Sequence, residues 1–414
     1  MTEYWAVIVG VGEYQYFGEL ASAHNDAMGL YEQLAPIYGD DHIMLLVDNE
    51  ATKDNIEDAI SDWLDPLEDE DDVVLFYFSG HGCYGYDLAP IDETDGYDEY
   101  ICPYDILPYS YANNIRDDEL DNWLDDLESD NIVVILDSCF SGGFIDRAIG
   151  IESGLPPTDP RDGFTRDLSQ SGRVILTGCA EDEYGWEDSA LGHGVFTYYI
   201  LEALDELELT DANGDNEISV EEVFNYAAPK VVECMEGYQY PQIDDGYAGD
   251  LGLFTTATVT FDTSPPVASV IIDETAYSAE EQPVSFTWPT GTVHTFQTLG
   301  LVTGESGIRY MFTSWSDGDT STSRTITVSE SETYTANYTA QFYLTVQSEW
   351  GGPQGEGWYD EDALATFSVS PLIDHGDGTG YAFTYWSGDS TETTPSASMT
   401  MDSPKTVTAN WKLQ

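Results

Sequence analysis

Five short, nearly continuous apolar runs punctuate the first 255 residues, at 5–9, 43–47, 73–78, 132–136 and 174–177. Runs this short, rich in Val and Ile and without alternation, have the pattern of strands buried on both faces. Between them lie stretches with helical apolar spacing, at 23–35, 55–64, 118–127 and 196–207. Alternating β and α segments predict an α/β domain, a mainly parallel sheet sandwiched by helices. In such sheets ligands bind beyond the carboxyl ends of the strands, so the residues that follow each run are where chemistry is to be sought.

After residue 254 the character changes. Thr, Ser, Tyr and Gly dominate and helix signals cease. The segment Asp262-Thr263-Ser264-Pro265-Pro266 reads as a linker. Beyond it an internal repeat emerges: FTSWSDG, TITV and YTANY within 308–338 are matched by FTYWSGD, SMTM and VTANW within 379–411. Trp315 and Asn337 are separated by nearly the same length as Trp386 and Asn410. Two copies predict two small all-β modules. The expected domains are therefore 1–258, 259–338 and 339–414. The modules resemble the β-repeats of surface proteins. That resemblance implies adhesion or spacing, cell-surface ligands as partners, and an extracellular or cell-surface location.

Charge narrows the partners. There are 79 Asp and Glu against 11 Lys and Arg, a net charge of −68, while 41% of residues are hydrophobic. The chain is thus globular, and its surface repels nucleic acid and anionic membranes while attracting cations and basic peptides. No stretch is long and apolar enough to span a bilayer. No leader pattern opens the chain, which leaves a cytosolic protein and one without its targeting segment both open. Five cysteines, at 83, 102, 139, 179 and 234, are an odd number without CxxC spacing, which argues against a zinc site. A Cys83–Cys102 disulfide is left open by the sequence.

The third apolar run ends in Ser79-Gly80-His81-Gly82, and the fourth in Asp137-Ser138-Cys139-Phe140-Ser141-Gly142-Gly143. A His and a Cys at neighbouring strand ends, flanked by glycines, suit nucleophilic catalysis: a thiolate attacks a carbonyl and an imidazole assists. The glycines let a substrate backbone approach, and the Gly82 and Cys139 N–H groups are candidate oxyanion donors. Taken singly, each residue also reads as buried packing. A competing pair exists in Cys179 and His193, but Cys179 lacks the following Gly-Gly.

Together these motifs resemble the caspase-like peptidases of clan CD, and in particular the metacaspases and their prokaryotic relatives. The acidic run from Asp92 to Asp105 resembles the DxxDGYDE…PxD segment that follows the catalytic His in metacaspases, and Asn25-Asp26-Ala27 matches their NDA motif. The resemblance covers residues 3–255. It implies a cysteine endopeptidase with catalytic His81 and Cys139, and a pocket for the substrate's basic side chain (S1) formed by Asp26 and Asp137 with Ser79 nearby. Paired carboxylates suit guanidinium or ammonium, so Arg/Lys specificity and basic protein substrates are expected. Asp26 alone also reads as a helix N-terminal cap or dipole charge. The resemblance further implies calcium ligands at Asp98, Asp117, Asp118 and Asp146. It also implies self-processing in the Pro-, Gly- and Asp-rich loop at 147–173, where Arg161 and Arg166 are candidate cleavage sites.

A second calcium (Ca2+) site is read from the residues themselves. Asp211, Asn213, Asp215, Ser219 and Glu222 fall at positions one, three, five, nine and twelve of an EF-hand-like loop, with Glu217 offering its carbonyl at position seven. Asn216 replaces the usual glycine at position six, a substitution Asn tolerates through its access to positive φ. Two alternatives stand beside the Arg/Lys peptidase: a clan relative with Asn or Asp preference, and a calcium-stabilised adhesin with an inactive peptidase domain. The intact His81 and Cys139 argue against the adhesin, and the acidic pocket argues against Asp preference.

Overall fold

The computed structural model describes residues 2–86, 88, 97–108, 110, 112–138, 168, 170–180, 183 and 185–414. They form two compact units, one of residues 1–257 with 287–292 and one of 258–286 with 293–414.

In chain order, the strands of the first unit are β1 (Tyr4–Gly10), β2 (Ile43–Val47), β3 (Val73–Gly80), β4 (Gly82–Tyr86), β5 (Tyr97–Ile101), β6 (Ile115–Arg116), β7 (Ile132–Ser138), β8 (Arg173–Thr177), β9 (Glu187–Asp188), β10 (His193–Gly194), β11 (Glu217–Ser219) and β12 (Gln242–Asp245), with β13 (Gly252–Ser264) continuing into the second. The main helices are α1 (Ala23–Tyr38), α2 (Lys53–Asp58), α3 (Asp117–Asp125), α4 (Val195–Asp205) and α5 (Val220–Cys234). The expected 55–64 helix is α2 prolonged by a π-helical segment, Ala59–Leu64.

The five apolar runs are the five parallel strands of a six-stranded sheet, ordered β12-β8-β7-β3-β1-β2. Alternate residues feed opposite faces. Val7, Val9, Phe76, Phe78 and Val134 pack with Ile56 and Ile60 around α2 and with Leu120 and Leu124 of α3. Ala6, Ile8, Leu75, Tyr77 and Ile135 pack with Leu30 and Leu34 of α1, Phe196 and Ile200 of α4, and Val223 and Val231 of α5. Both faces are covered, which is why the runs lack alternation. Each fully buried Val, Leu or Ile contributes about 1.5–3 kcal/mol. The sixth strand, β12, runs antiparallel to β8 at the sheet edge. Its sequence, QIDD, is partly exposed and carries no apolar signal.

Register fixes the site. Gly10 pairs with Ser79, Ser79 with Asp137, and Gly80 with Ser138. β1, β3 and β7 therefore end side by side at the carboxyl end of the sheet.

Every regular element among the described residues of the second unit is a strand, and the repeat is visible in its geometry. Ile308–Trp315 pairs antiparallel with Glu332–Gln347 and shifts register between Phe312 and Ser314. Gly380–Gly388 pairs antiparallel with Lys405–Leu413 and shifts between Phe383 and Tyr385. Each copy buries its tryptophan. Trp315 Nε1 donates to Ser321 O at 2.9 Å, and Trp386 Nε1 to Thr394 O at 3.0 Å. A phenylalanine meets each indole edge-on, Phe296 at 4.8 Å and Phe367 at 4.9 Å. The strand Glu332–Gln347 serves both copies: it pairs with β13 over 332–337 and with Lys405–Leu413 over 344–347.

The linker reading of 262–266 is corrected. β13 runs through Asp262, Thr263 and Ser264, whose partners in the parallel pair are Thr335, Ala336 and Asn337, and Thr263 is buried. The strand ends only at Pro265, which has no N–H to donate to a ladder.

Candidate active site

His81 leaves the end of β3 directly. Its backbone N–H donates to Tyr14 Oη at 2.6 Å, its ring lies 4.8 Å from the Tyr14 ring, and its Nε2 is 3.2 Å from Gly18 O. Burial lowers its pKa, opposed by the Gly18 carbonyl and the Glu187 carboxylate. A lowered value favours the neutral imidazole at neutral pH. Cys139 and Asp146 lie outside the described residues, as do Arg161 and Arg166. Ser138, which precedes Cys139, is buried and stands opposite Gly80, which precedes His81.

Gly82 pairs with Ile101 across the β4–β5 ladder, while Cys102 N–H donates to His81 O at 3.0 Å. In an antiparallel pair, hydrogen-bonded and non-hydrogen-bonded positions alternate. The Gly82 N–H therefore points away from β5.

The two carboxylates and the serine expected together are together. Asp26, in the first turn of α1, is 1% exposed, and Asp137, near the end of β7, is 8% exposed. Ser79 Oγ donates to Asp26 Oδ2 at 2.9 Å. Asp26 Oδ1 lies 2.9 Å from His193 Nδ1 and accepts from Gly194 N at 3.0 Å. These partners lie outside α1, so Asp26 is not a helix cap. Asp137 Oδ2 accepts from Thr197 N at 3.1 Å and Thr197 Oγ1 at 2.6 Å. Asp26, Ser79, His81, Asp137, Glu187 and Gly194 are among the residues lining one small pocket of about 40 Å³. Two glycines shape it. A Cβ on Gly194 would lie 2.5 Å from Asp137 Oδ2, and one on Gly178 would lie 2.8 Å from Asp137 Oδ1.

Burial raises both acids. Asp137 is pushed up to about 7, first by desolvation and then by the Asp26 charge. Asp26 is raised by desolvation, opposed by its hydrogen bonds from His193, Ser79 and Gly194. The competing pair is not assembled. The Cys179 thiol contacts Ser138 O at 3.5 Å and Glu183 O at 3.7 Å, whereas His193 faces Asp26.

Sequence reasoning missed Thr197 and Glu187. Glu187 Oε1 accepts from Ser22 N at 2.8 Å and Oε2 from Ala21 N at 3.1 Å, which ties the β9–β10 hairpin to the start of α1. The glycines around His193 were the one visible hint of a close approach here.

One group of carboxylates is drawn together, and a second set of oxygen donors lies along a single loop. Asp98, Asp117 and Asp118 each bring a carboxylate oxygen within 4.8 Å of the others. Arg116 lies 3.0 Å from Asp118 and 3.6 Å from Asp98. Asp117 is pushed up to about 7, mainly by burial. In the loop before α5, Asp211 Oδ1 accepts from Gly214 N and Asp215 N, and its Oδ2 accepts from Asn216 N. Glu222 Oε1 folds back to accept from Ala212 N and Asn213 N. Asn216 has φ +68°, the left-handed conformation its position requires. Oxygen donors are the kind calcium takes, and among the described residues it is the Asp98, Asp117 and Asp118 set whose carboxylate oxygens are drawn together.

The Cys83–Cys102 disulfide is not formed. Both thiols are free and buried, and Cys102 Sγ donates to Cys83 Sγ at 3.6 Å.

A stability consequence follows from the raised acids. An acid whose folded pKa exceeds its unfolded value near 4 holds a proton in the native state that the unfolded chain has released. With Asp137 and Asp117 near 7 and Glu221 near 6, the stability these three acids contribute is fully present below about pH 4 and is lost as pH rises through 7. Melting temperatures measured in chelator are expected to decline across that window. Melting that rises steadily from pH 4 to 7.5 contradicts the buried-acid picture.

Residues 3–248, more than half of the chain, match the caspase domain family, and residues 356–414 match the divergent InlB B-repeat domain. Metacaspase-6 of Arabidopsis thaliana is 32% identical over 184 residues, 42% of this chain and 48% of that protein. Metacaspase-1 of Schizosaccharomyces pombe is 32% identical over 184 residues, 41% of this chain and 40% of that protein. Metacaspase-1 of Plasmodium falciparum is 34% identical over 155 residues, 34% of this chain and 24% of that protein. The match thus spans less than half the length of each of these relatives. Because the caspase-domain match covers more than half of the chain, the chain belongs to the caspase-domain family of cysteine peptidases, with a B-repeat-type β region at its carboxyl end.

Proposed function

We propose that the first unit is an endopeptidase that cuts after Arg or Lys, with Cys139 as nucleophile and His81 as its acid–base partner. The observation that carries this reading is the pair of buried carboxylates, Asp26 and Asp137, lining the pocket that His81 also borders. Two buried acids with no Lys or Arg among the described residues lining the pocket leave a site short of permanent positive charge, and a guanidinium supplies it. The Cys139 thiolate attacks the scissile carbonyl to give a tetrahedral species, whose oxyanion takes hydrogen bonds from the Gly82 and Cys139 N–H groups. His81 protonates the departing amine and then assists water in releasing the acyl group.

Calcium is the proposed cofactor, held by Asp98, Asp117 and Asp118, with Asp146 as the fourth acid the family resemblance implies. It is also held by the 211–222 loop through Asp211, Asn213, Asp215, Ser219, Glu222 and the Glu217 carbonyl. Bound calcium neutralises carboxylates that otherwise repel one another. Hydrolysis of paired fluorogenic peptides with Arg or Asp at the cleaved position, in calcium and in chelator, tests the reading. Arg cleavage is expected to exceed Asp cleavage by on the order of 10²-fold, and to fall in chelator. Faster Asp cleavage overturns the pocket, and full activity in chelator overturns the cofactor.

Self-processing in the 147–173 loop, at Arg161 or Arg166, is part of the same proposal. Incubation with calcium is expected to split the intact mass into two chains, with Cys139→Ala remaining single. Cleavage in that variant overturns it. We further propose an extracellular or cell-surface location with surface ligands for the β region, supported by the B-repeat match. Surface biotinylation of intact cells that leaves the protein unlabelled contradicts it.

A further inference from the structure

The β9–β10 hairpin supplies Asp26 with two of its hydrogen-bond partners. Gly194 N donates to Asp26 Oδ1 at 3.0 Å, and His193 Nδ1 lies 2.9 Å from the same oxygen. An ionised carboxylate only accepts, so the imidazole bears its proton on Nδ1 when Asp26 is charged. The hairpin is held against α1 by separate contacts. Glu187 accepts from Ala21 N and Ser22 N, and Asn25 Nδ2 donates to Gly192 O at 3.2 Å. The backbone that carries His193 is therefore anchored by contacts separate from those to Asp26. Its other side borders a larger cavity of about 420 Å³ that Gly29, Glu32 and Tyr198 also line. The ring thus stands between that cavity and the buried carboxylate.

Asp26 needs such support. It is 1% exposed and faces a second buried acid, and burial disfavours its charged form. Ser79 Oγ and Gly194 N are neutral donors, as is the Nδ1–H of a neutral imidazole, but the imidazole alone can also carry charge. Remove it, and the carboxylate keeps two donors beside a like charge.

We propose that His193 is a positioning residue for the basic-side-chain pocket: by donating Nδ1–H to Asp26 it keeps that carboxylate charged and aimed, and so sets the preference for a cationic over a neutral side chain of the same shape. This rests on the assignment of Asp26 and Asp137 to the S1 pocket. His193 itself touches no reacting atom.

The test compares an Arg peptide with its citrulline counterpart, which keeps the shape and loses the charge, on the full chain in calcium. His193→Phe keeps a ring and removes the donor. His193→Asn places an amide N–H near the Nδ1 position. Asp26→Asn removes the charge directly. The expected result is a rise of about tenfold in KM for the Arg peptide in His193→Phe, with kcat changed far less and citrulline cleavage nearly unmoved. His193→Asn is expected to restore most of the Arg preference. An unchanged Arg/citrulline ratio in His193→Phe, while Asp26→Asn abolishes it, overturns the role of His193 and leaves the pocket standing. Unchanged ratios in both variants overturn the pocket assignment as well. Equal losses on both peptides, or loss of the melting transition in both His193 variants, overturn the proposal by showing that the ring serves folding alone.

Discussion

Replacing Cys139 by Ala is expected to lower kcat/KM for an Arg peptide by about 10⁴-fold or more, and His81→Ala by about 10²–10⁴-fold. The two losses differ because the residues do different things. Without the thiol no acyl intermediate forms. Without the imidazole a thiolate can still attack, but the departing amine lacks a positioned proton. Burial holds His81 below its ordinary pKa, which keeps it neutral near pH 7 until the thiol proton is transferred. The fold is expected to tolerate His81→Ala, since the link to Tyr14 Oη is made by the backbone N–H. Kinetics on both variants, beside melting curves that match wild type, check this. Activity of Cys139→Ala within tenfold of wild type removes Cys139 as nucleophile.

The second large effect is at the pocket floor. Asp137→Asn is expected to lower kcat/KM for the Arg peptide by on the order of 10²-fold while leaving a citrulline peptide nearly unaffected. The amide oxygen can still accept from Thr197 N and Oγ1, so the substitution removes charge more than shape. Stability is expected to move the other way. Asp137 is pushed up to about 7 because burial and Asp26 oppose its ionised form. At pH 8, where that form must be held, the neutral amide removes the cost, and the melting temperature of Asp137→Asn is expected to equal or exceed that of wild type. Loss of activity with a raised melting temperature marks a carboxylate kept for function at the expense of stability. A fall in both, equal for the two peptides, points to a structural role.

Much of this was legible in the sequence, and the reasons are specific. The five parallel strands were read because burial on both faces leaves only apolar residues at 5–9, 73–78 and 132–136. Asp26, Ser79 and Asp137 were grouped through the resemblance to metacaspases, and register places Ser79 directly opposite Asp137. The β12 edge was missed because one partly exposed strand of polar residues has no periodic signature. The strand through Asp262–Ser264 was mistaken for a linker because the two prolines that end it dominate a local reading. Glu187 and Thr197 carried no signal, for their partners Ala21 and Asp137 are 166 and 60 residues away. Such contacts exist only once the sheet has assembled. The repeat tryptophans needed no folding argument, since spacing alone revealed them and the structure buries both.

The central claim is that one nucleophile, Cys139, works beside a pocket made for a basic side chain. It is tested most directly by incubating the protein, in calcium, with irreversible peptidyl ketone probes bearing Arg or Asp at the terminal position, followed by peptide mass mapping. The account predicts one adduct, on the peptide containing Cys139, with the Arg probe and not the Asp probe. An adduct on Cys179, or equal labelling by the two probes, contradicts it.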